Sequence, residues 1–387
     1  MGGLPAKYAK RYEKIAYNGR AMPEFVKGLR LSSLFFEQAV KPILERVAPG
    51  LEYSAALIGS GSEVLGFDDE MSADHHWGPR VMLFLNERDR ERADGRIEAA
   101  MREQLPPVFL GYSTNFSEPN PNDNNTQLLA AVDGGPINHR VDVFTIRGYL
   151  LSYLNFDINR EIEAADWLTF PEQKLRTITA GEVFEDKVGL EDVRGRFSYY
   201  PKDVWLYLLA SGWARIGQEE HLMGRAGLAG DEIGSALIAS RLVRDIMRLC
   251  FLMKREYAPY PKWFGTAFRR LACAEAIMPH LEAVLRSATW QGREALLVPA
   301  YEHIAAMHND LGITEPLPAR AGNFFGRPFK VIDVVGGFSK AIMAQITDPE
   351  VKRIASRKPI GSIDQFSDST DLLSDPQWRP VLRKLYE

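Results

Sequence analysis

Gly59, Ser60, Gly61 and Ser62 follow a short apolar run and open a stretch able to turn helical. Backbone N–H groups exposed at such a turn hold phosphate oxygens, and serine hydroxyls add donors. The same residues also suit an ordinary strand-to-helix turn, with Ser60 or Ser62 as N-cap. After thirteen intervening residues Ser60 is followed by Asp74 and then His76, and Asp142 lies on a later β-rich segment. If residues 72–77 enter a strand, positions i and i+2 point to one side, so Asp74 and His76 face one point. The segment carrying Asp142 can pair alongside. A carboxylate–imidazole–carboxylate set beside an anion-binding turn is close to what divalent-metal phosphoryl chemistry needs. The metal clamps phosphates and attacking oxygen, and the carboxylates hold the metal.

Two other phosphate loops are excluded. A dinucleotide fingerprint needs a third glycine where Val64 stands. A Walker A loop needs a Gly-Lys-Ser/Thr ending, which the 59–62 stretch lacks.

The elements that must position these residues are legible in the apolar pattern. Residues 22–47 read as a helical pair. Residues 53–58 and 81–85 are short apolar runs of buried-strand type. Residues 62–67 are one or two helical turns, and 86–105 is a charged helix. The polar stretch 111–127 is a long surface loop. Residues 140–146 read as a third strand, with Val141 and Val143 on one face and Asp142 on the other with Phe144 and Ile146. Residues 148–168 are helical, and 175–184 suggest a hairpin at the sheet edge. From Tyr199 onward the pattern is almost wholly helical, with 322–337 an irregular Gly/Phe-rich stretch. The expectation is an α+β chain: a mixed-sheet domain over 1–190 and an all-α helical bundle over 191–387.

Composition narrows the partners. The net charge of −4 offers no general basic field, so a nucleic-acid partner is disfavoured. No apolar run approaches the roughly 20 residues that span a bilayer, and residues 1–14 lack the apolar core of a signal peptide. Cys250 and Cys273 sit in apolar helical sequence and read as core thiols, which fits a reducing compartment. The expected location is cytoplasmic, away from membranes.

Gly59-Ser60, the spacer, Asp74-x-His76 and the distant Asp142 together resemble the nucleotidyltransferase superfamily of DNA polymerase β and the antibiotic nucleotidyltransferases. That pattern is a hydrophobic residue before Gly-Gly or Gly-Ser, then an acid–hydrophobic–acid pair, then a later acid. Ser72-x-Asp74-His75-x-Trp77-Gly78-Pro79-Arg80 also looks like an uncharacterised bacterial branch of it. So do Tyr200-Pro201-Lys202-Asp203-Val204-Trp205, Arg241-Leu242-Val243-Arg244-Asp245 and Lys262-Trp263-Phe264-Gly265-Thr266. The resemblance implies a nucleoside triphosphate, ATP by preference, and Mg2+ in a cleft between the sheet domain and the helical bundle. It implies that Gly59, Ser60, Gly61 and Ser62 hold the β- and γ-phosphates. It also implies that Asp74, His76 and Asp142 hold metal, with Asp142 helping to deprotonate the attacking hydroxyl. His76 departs from the pattern, since an acid is expected there. Imidazole is a poorer magnesium ligand than carboxylate and suits Mn2+ or zinc better. One metal, a softer metal, or nucleotide binding without catalysis all remain open. His75 points the other way and reads as structural, unless a His-His pair takes zinc.

In the helical half, Lys202 opens a helix and either reaches a phosphate, as a helical-domain lysine does in the superfamily this chain resembles, or is solvated. Arg241, Arg244 and Arg248 share a helix face. Asp245 is placed to pair with Arg241, and Arg215 with Glu219, so an ion-pair network is expected. Glu220 continues an inner face after Trp213 and Ile216 and is a candidate general base for an acceptor pocket. Tyr257, Tyr260, Trp263, Phe264 and Phe268 form core packing or an aromatic wall for a base. The leading expectation is transfer of AMP from ATP to a hydroxyl of a small molecule or protein. The alternative is a nucleotide-binding regulator without transferase activity.

Overall fold

A computed structural model of the chain describes residues 24–73, 75–123 and 125–387. Its contacts divide it into two compact units. One takes the described residues up to Leu151 together with Thr177–Arg196, and the other takes Ser152–Arg176 and Phe197–Glu387.

The first unit is built on a four-stranded sheet. Helix α1 (Gly28–Phe35) runs through a π-helical stretch (Phe36–Val40) into α2 (Lys41–Val47). Pro42 follows that wide turn, which leaves room for a residue that has no N–H to donate. Strand β1 (Tyr53–Leu57) and β2 (Arg80–Leu85) are buried at every position, which suits their mostly apolar sequences, Ser54 and Arg80 being the polar exceptions. Helix α3 (Glu87–Gln104) follows, then the small ribbon of β3 (Val108–Phe109) and β4 (Tyr112–Ser113). Strand β5 (Arg140–Phe144) leads into α4 (Ile146–Leu154). The sheet order is β5-β2-β1-β6, with β6 at Glu182–Glu185. β1 lies antiparallel to β2 and β6, and β2 lies parallel to β5.

One face of this sheet carries Tyr53, Ala55, Val81, Leu83 and Val141. They pack against Leu31, Phe35 and Val40 from the first helices and Ile97 and Met101 from α3. Fully burying each large aliphatic or aromatic side chain contributes about 1.5–3 kcal/mol, so this layer fixes the sheet. The opposite face carries Arg80, Met82, Arg140 and Asp142 in register, with Phe84, Phe144 and Tyr149 in edge and tilted ring contacts beyond them.

Three expectations are corrected here. Residues 72–77 do not enter a strand: the described ones form turns, and β2 starts only at Arg80. Residues 62–67 form turns rather than regular helix, with the Phe67 N–H on the Ser62 carbonyl at 2.9 Å. Residues 175–180 are not a hairpin strand. Helix α6 (Glu172–Thr179) occupies them, and only β6 is extended.

The second unit is helical. It contains α5 (Ala164–Thr169), the long helices α8 (Lys202–Leu228) and α9 (Glu232–Met253), then α10 (Pro261–Phe268), α11 (Ala274–Arg286) and α12 (Trp290–Asp310). The short α7 (Leu190–Gly195) precedes these long helices and belongs to the first unit. Val204 to Trp213 of α8 are buried all round, the mark of a central helix. Trp213 stacks on Phe338 with ring centroids 4.0 Å apart. Asp203 anchors the 347–348 backbone by accepting from the Thr347 N–H at 2.6 Å. Cys250 and Cys273 are buried free thiols. No described helix is long and apolar enough to cross a membrane.

Candidate functional site

The C-terminal end of β1 and the starts of β2 and β5 lie at one end of the sheet. Ala56 is opposite Met82, and Met82 opposite Asp142. The 59–62 turn leaves β1 at that end. Gly59 has φ +80° and donates its N–H to the Thr177 carbonyl at 2.9 Å. Ser60 is exposed, and its carbonyl accepts from the Arg80 guanidinium at 2.8 Å. The Ser62 hydroxyl donates to the Ser72 carbonyl at 3.3 Å, which ties the turn to the loop before β2. Glu63, buried, pairs with Arg80 at 2.5 Å. Gly61 lies against this pair, and a Cβ there would stand 2.5 Å from the Arg80 guanidinium. The Arg80 Nε is buried and has no hydrogen-bond partner among the described residues.

The loop before β2 is pinned from below by Asp68, which accepts from the Gly28 N–H at 2.7 Å and the Trp77 indole at 3.2 Å. Asp68 is a residue that the motif reading missed. Its only local signal is its place in the acidic run 68–70.

Asp74 lies outside the described residues. His76 is half-buried, sits in the left-handed region at φ +56°, and donates its backbone N–H to the Gln127 carbonyl at 3.0 Å. The i, i+2 strand geometry that would have aimed it alongside its neighbour therefore does not apply. Its Nδ1 lies 2.9 Å from the Arg140 guanidinium. Burial, then the charges of Arg140 and Arg80, hold its pKa below the usual histidine value, and because a guanidinium can only donate, Nδ1 is the acceptor of this bond. Arg140 also donates to the Gln127 amide oxygen at 3.1 Å and to the Asp142 carboxylate at 3.4 Å. One guanidinium thus joins His76 to Asp142. Arg140 was missed as a site residue. Its signal was spacing, since on a strand it shares a face with Asp142. His75 is exposed, with its Nε2 3.9 Å from Asp123.

The structure therefore brings together Ser60, Gly61, Glu63 and Arg80 in one cluster, and His76, Gln127, Arg140 and Asp142 in the next. Among the described residues no three His, Cys, Asp or Glu side chains converge as metal ligands do.

The remaining candidates lie in the second unit. Lys202 is the exposed first residue of α8. Glu220 is buried, and its two oxygens accept from the Ile332 N–H at 2.7 Å and the Asp333 N–H at 3.0 Å. Burial pushes its pKa up to about 8 against the opposing pull of those amides. The arginine network exists, but with other partners. Arg241 binds Glu219 at 2.9 Å, Arg215 binds Asp245 at 3.2 Å, and Arg248 meets Glu172 at 3.3 Å. Tyr257 and Phe268 are buried, and Phe264 and Phe268 pack on Phe251.

A family model described as a domain of unknown function, DUF4037, matches residues 167–264. No curated protein matches the chain. Among solved structures, the chain is similar to a nucleotidyltransferase-like protein from Exiguobacterium sibiricum 255-15. The identity is 10%, with 80% of this chain and 89% of that chain covered, and the TM-score is 0.30.

Proposed function

We propose that the 59–62 turn and the sheet end beside it bind a nucleoside triphosphate, and that the chain transfers its nucleoside monophosphate to a hydroxyl acceptor. The motif resemblance makes ATP the donor and AMP the transferred group, with a small molecule or a protein side chain as acceptor. What supports the reading is one observation: the 59–62 turn, Arg80, Arg140 and Asp142 share one end and one face of a four-stranded sheet.

In this reaction the acceptor oxygen bonds to the α-phosphorus while the bond from that phosphorus to the β-bridging oxygen breaks. Pyrophosphate leaves with the electron pair, and the hydroxyl proton passes to the Asp142 carboxylate. By the resemblance, Mg2+ or Mn2+ held by Asp74, His76 and Asp142 would supply Lewis-acid stabilisation. The described residues do not fit a metal held between His76 and Asp142, because both already bond one guanidinium. The charge that develops on the phosphates then falls to Arg140, to Arg80 beneath the turn, and to the turn's own N–H groups.

The test is a pyrophosphate-release assay with ATP and a labelled-transfer screen on cell lysate. Release with label on an acceptor, lost in Asp142→Asn, is the expected result. No release with any acceptor, in protein that binds no triphosphate, contradicts it. A second reading, nucleotide binding without transfer, is favoured by the bond from Arg140 that engages the Asp142 carboxylate. Calorimetric binding of a non-hydrolysable triphosphate without any turnover would decide for it.

A further inference from the structure

We infer that Arg140 is the resident cation of this site, occupying the space between His76 and Asp142 where the resemblance would put a metal. Three bonds carry the inference. The guanidinium lies 2.9 Å from the His76 Nδ1, 3.1 Å from the Gln127 amide oxygen and 3.4 Å from the Asp142 carboxylate. A divalent ion ligated by both His76 and Asp142 would need the same imidazole lone pair and the same carboxylate, and would stand against a fixed positive charge. The arrangement is held from several directions. His76 is fixed by its backbone bond to Gln127, and Arg140 by its place in the β2–β5 ladder. Its side chain is 19% exposed, so the guanidinium is sheltered yet reachable by a polyphosphate. A planar fork that bonds a carboxylate can bond a phosphate with the same geometry. Arg140 therefore excludes a metal from this position and presents its own charge to the phosphates. The second half of that statement rests on the triphosphate reading above; the first does not.

Two titrations test it. The first measures Mn2+ alone, by electron paramagnetic resonance, on the full chain and on Arg140→Gln, Arg140→Lys and Arg140→Gln/Asp142→Asn. Removing the guanidinium should tighten Mn2+ binding by about tenfold, a typical size for one close charge partly screened by solvent. Arg140→Lys should stay near the parent, and Asp142→Asn should abolish the gain. Equal Mn2+ affinity in the parent and Arg140→Gln overturns the inference. So does a gain that survives Asp142→Asn. The second titration measures ATP binding in excess chelator. The parent should bind, and Arg140→Gln should bind about tenfold more weakly. Binding that depends wholly on added metal, or is indifferent to Arg140→Gln, overturns the phosphate role. If no variant binds ATP with or without metal while the Mn2+ pattern holds, the triphosphate reading fails and the metal-excluding role of Arg140 stands.

Discussion

Arg80 and Arg140 stand directly opposite each other where β2 and β5 pair in parallel. Two like charges at adjacent register positions destabilise a sheet unless each is compensated. Here each has its own acid, Glu63 for Arg80 and Asp142 for Arg140. The two pairs differ in burial. Glu63 is 4% exposed and Asp142 39%, so the first pair is a fixed support and the second faces solvent.

Removing one partner of the buried pair should therefore be severe. Arg80→Met leaves Glu63 buried and unpaired, at a loss of about 3–5 kcal/mol in unfolding free energy. The double variant Arg80→Met/Glu63→Gln should recover much of that loss. Urea denaturation of the three proteins checks it, and a double variant as unstable as the single one would be contrary.

Gly61→Ala should disturb the turn itself. Its φ of +151° strains any L side chain, and the added Cβ would meet both partners of the Arg80–Glu63 pair. A loss of roughly 1–3 kcal/mol is expected, together with weaker ATP binding. Thermal unfolding and calorimetry on one preparation read both effects.

His308 gives the second unit a defined acid response. It is fully buried beside Trp213 and Phe338, with its Nε2 3.1 Å from the Thr314 hydroxyl. Burial pushes its pKa from 6.5 down to about 4. The unfolded chain then binds the proton more readily than the folded one. This contribution is fully present above pH 6.5 and is lost as pH falls towards 4, about 3 kcal/mol in all. Stability measured from pH 7 to pH 4 should fall less steeply in His308→Gln.

Arg194 should hold the end of α6. It donates to the carbonyls of Ile178 at 2.9 Å, Thr179 at 3.0 Å and Ala180 at 2.8 Å. Arg194→Ala would leave these C-terminal carbonyls without their charged donor, a loss of roughly 2–4 kcal/mol. Hydrogen exchange should then show faster opening of β6, and unchanged exchange there would be contrary.

The same contact explains why part of the fold was hidden from the sequence. Thr177, Ile178 and Thr179 have β-branched side chains and suggest a strand, yet the residue that caps them as a helix lies 15 positions further on. The buried strands β1 and β2 and helix α3 were legible because their apolar runs and spacing are local. The start of β2 was not. Trp77 is drawn to Asp68 and Gly78 takes φ +149°, which keeps residues up to Pro79 in turns. The ion pairs of α8 and α9 were expected along each helix. Arg215 and Glu219 instead pair with Asp245 and Arg241 across the two packed helices, a choice that only their packing decides. At the site, the 59–62 turn and Asp142 could be picked out by residue type. Arg140 could not be picked out by type: its one sequence signal is the strand face it shares with Asp142, and its partners from residues 76 and 127 are brought to it only by the fold.

The most direct measurement is the affinity of the full chain for a non-hydrolysable ATP analogue, compared across Gly61→Ala, Arg140→Gln and Lys330→Gln. Lys330 belongs to the helical unit and bonds Asn323 there, so it serves as a control. Saturable binding in the parent and in Lys330→Gln, weakened about tenfold in each of the other two, is what a polyphosphate seat on the turn and Arg140 requires. Absence of binding in the parent, or equal binding in all four proteins, would contradict it.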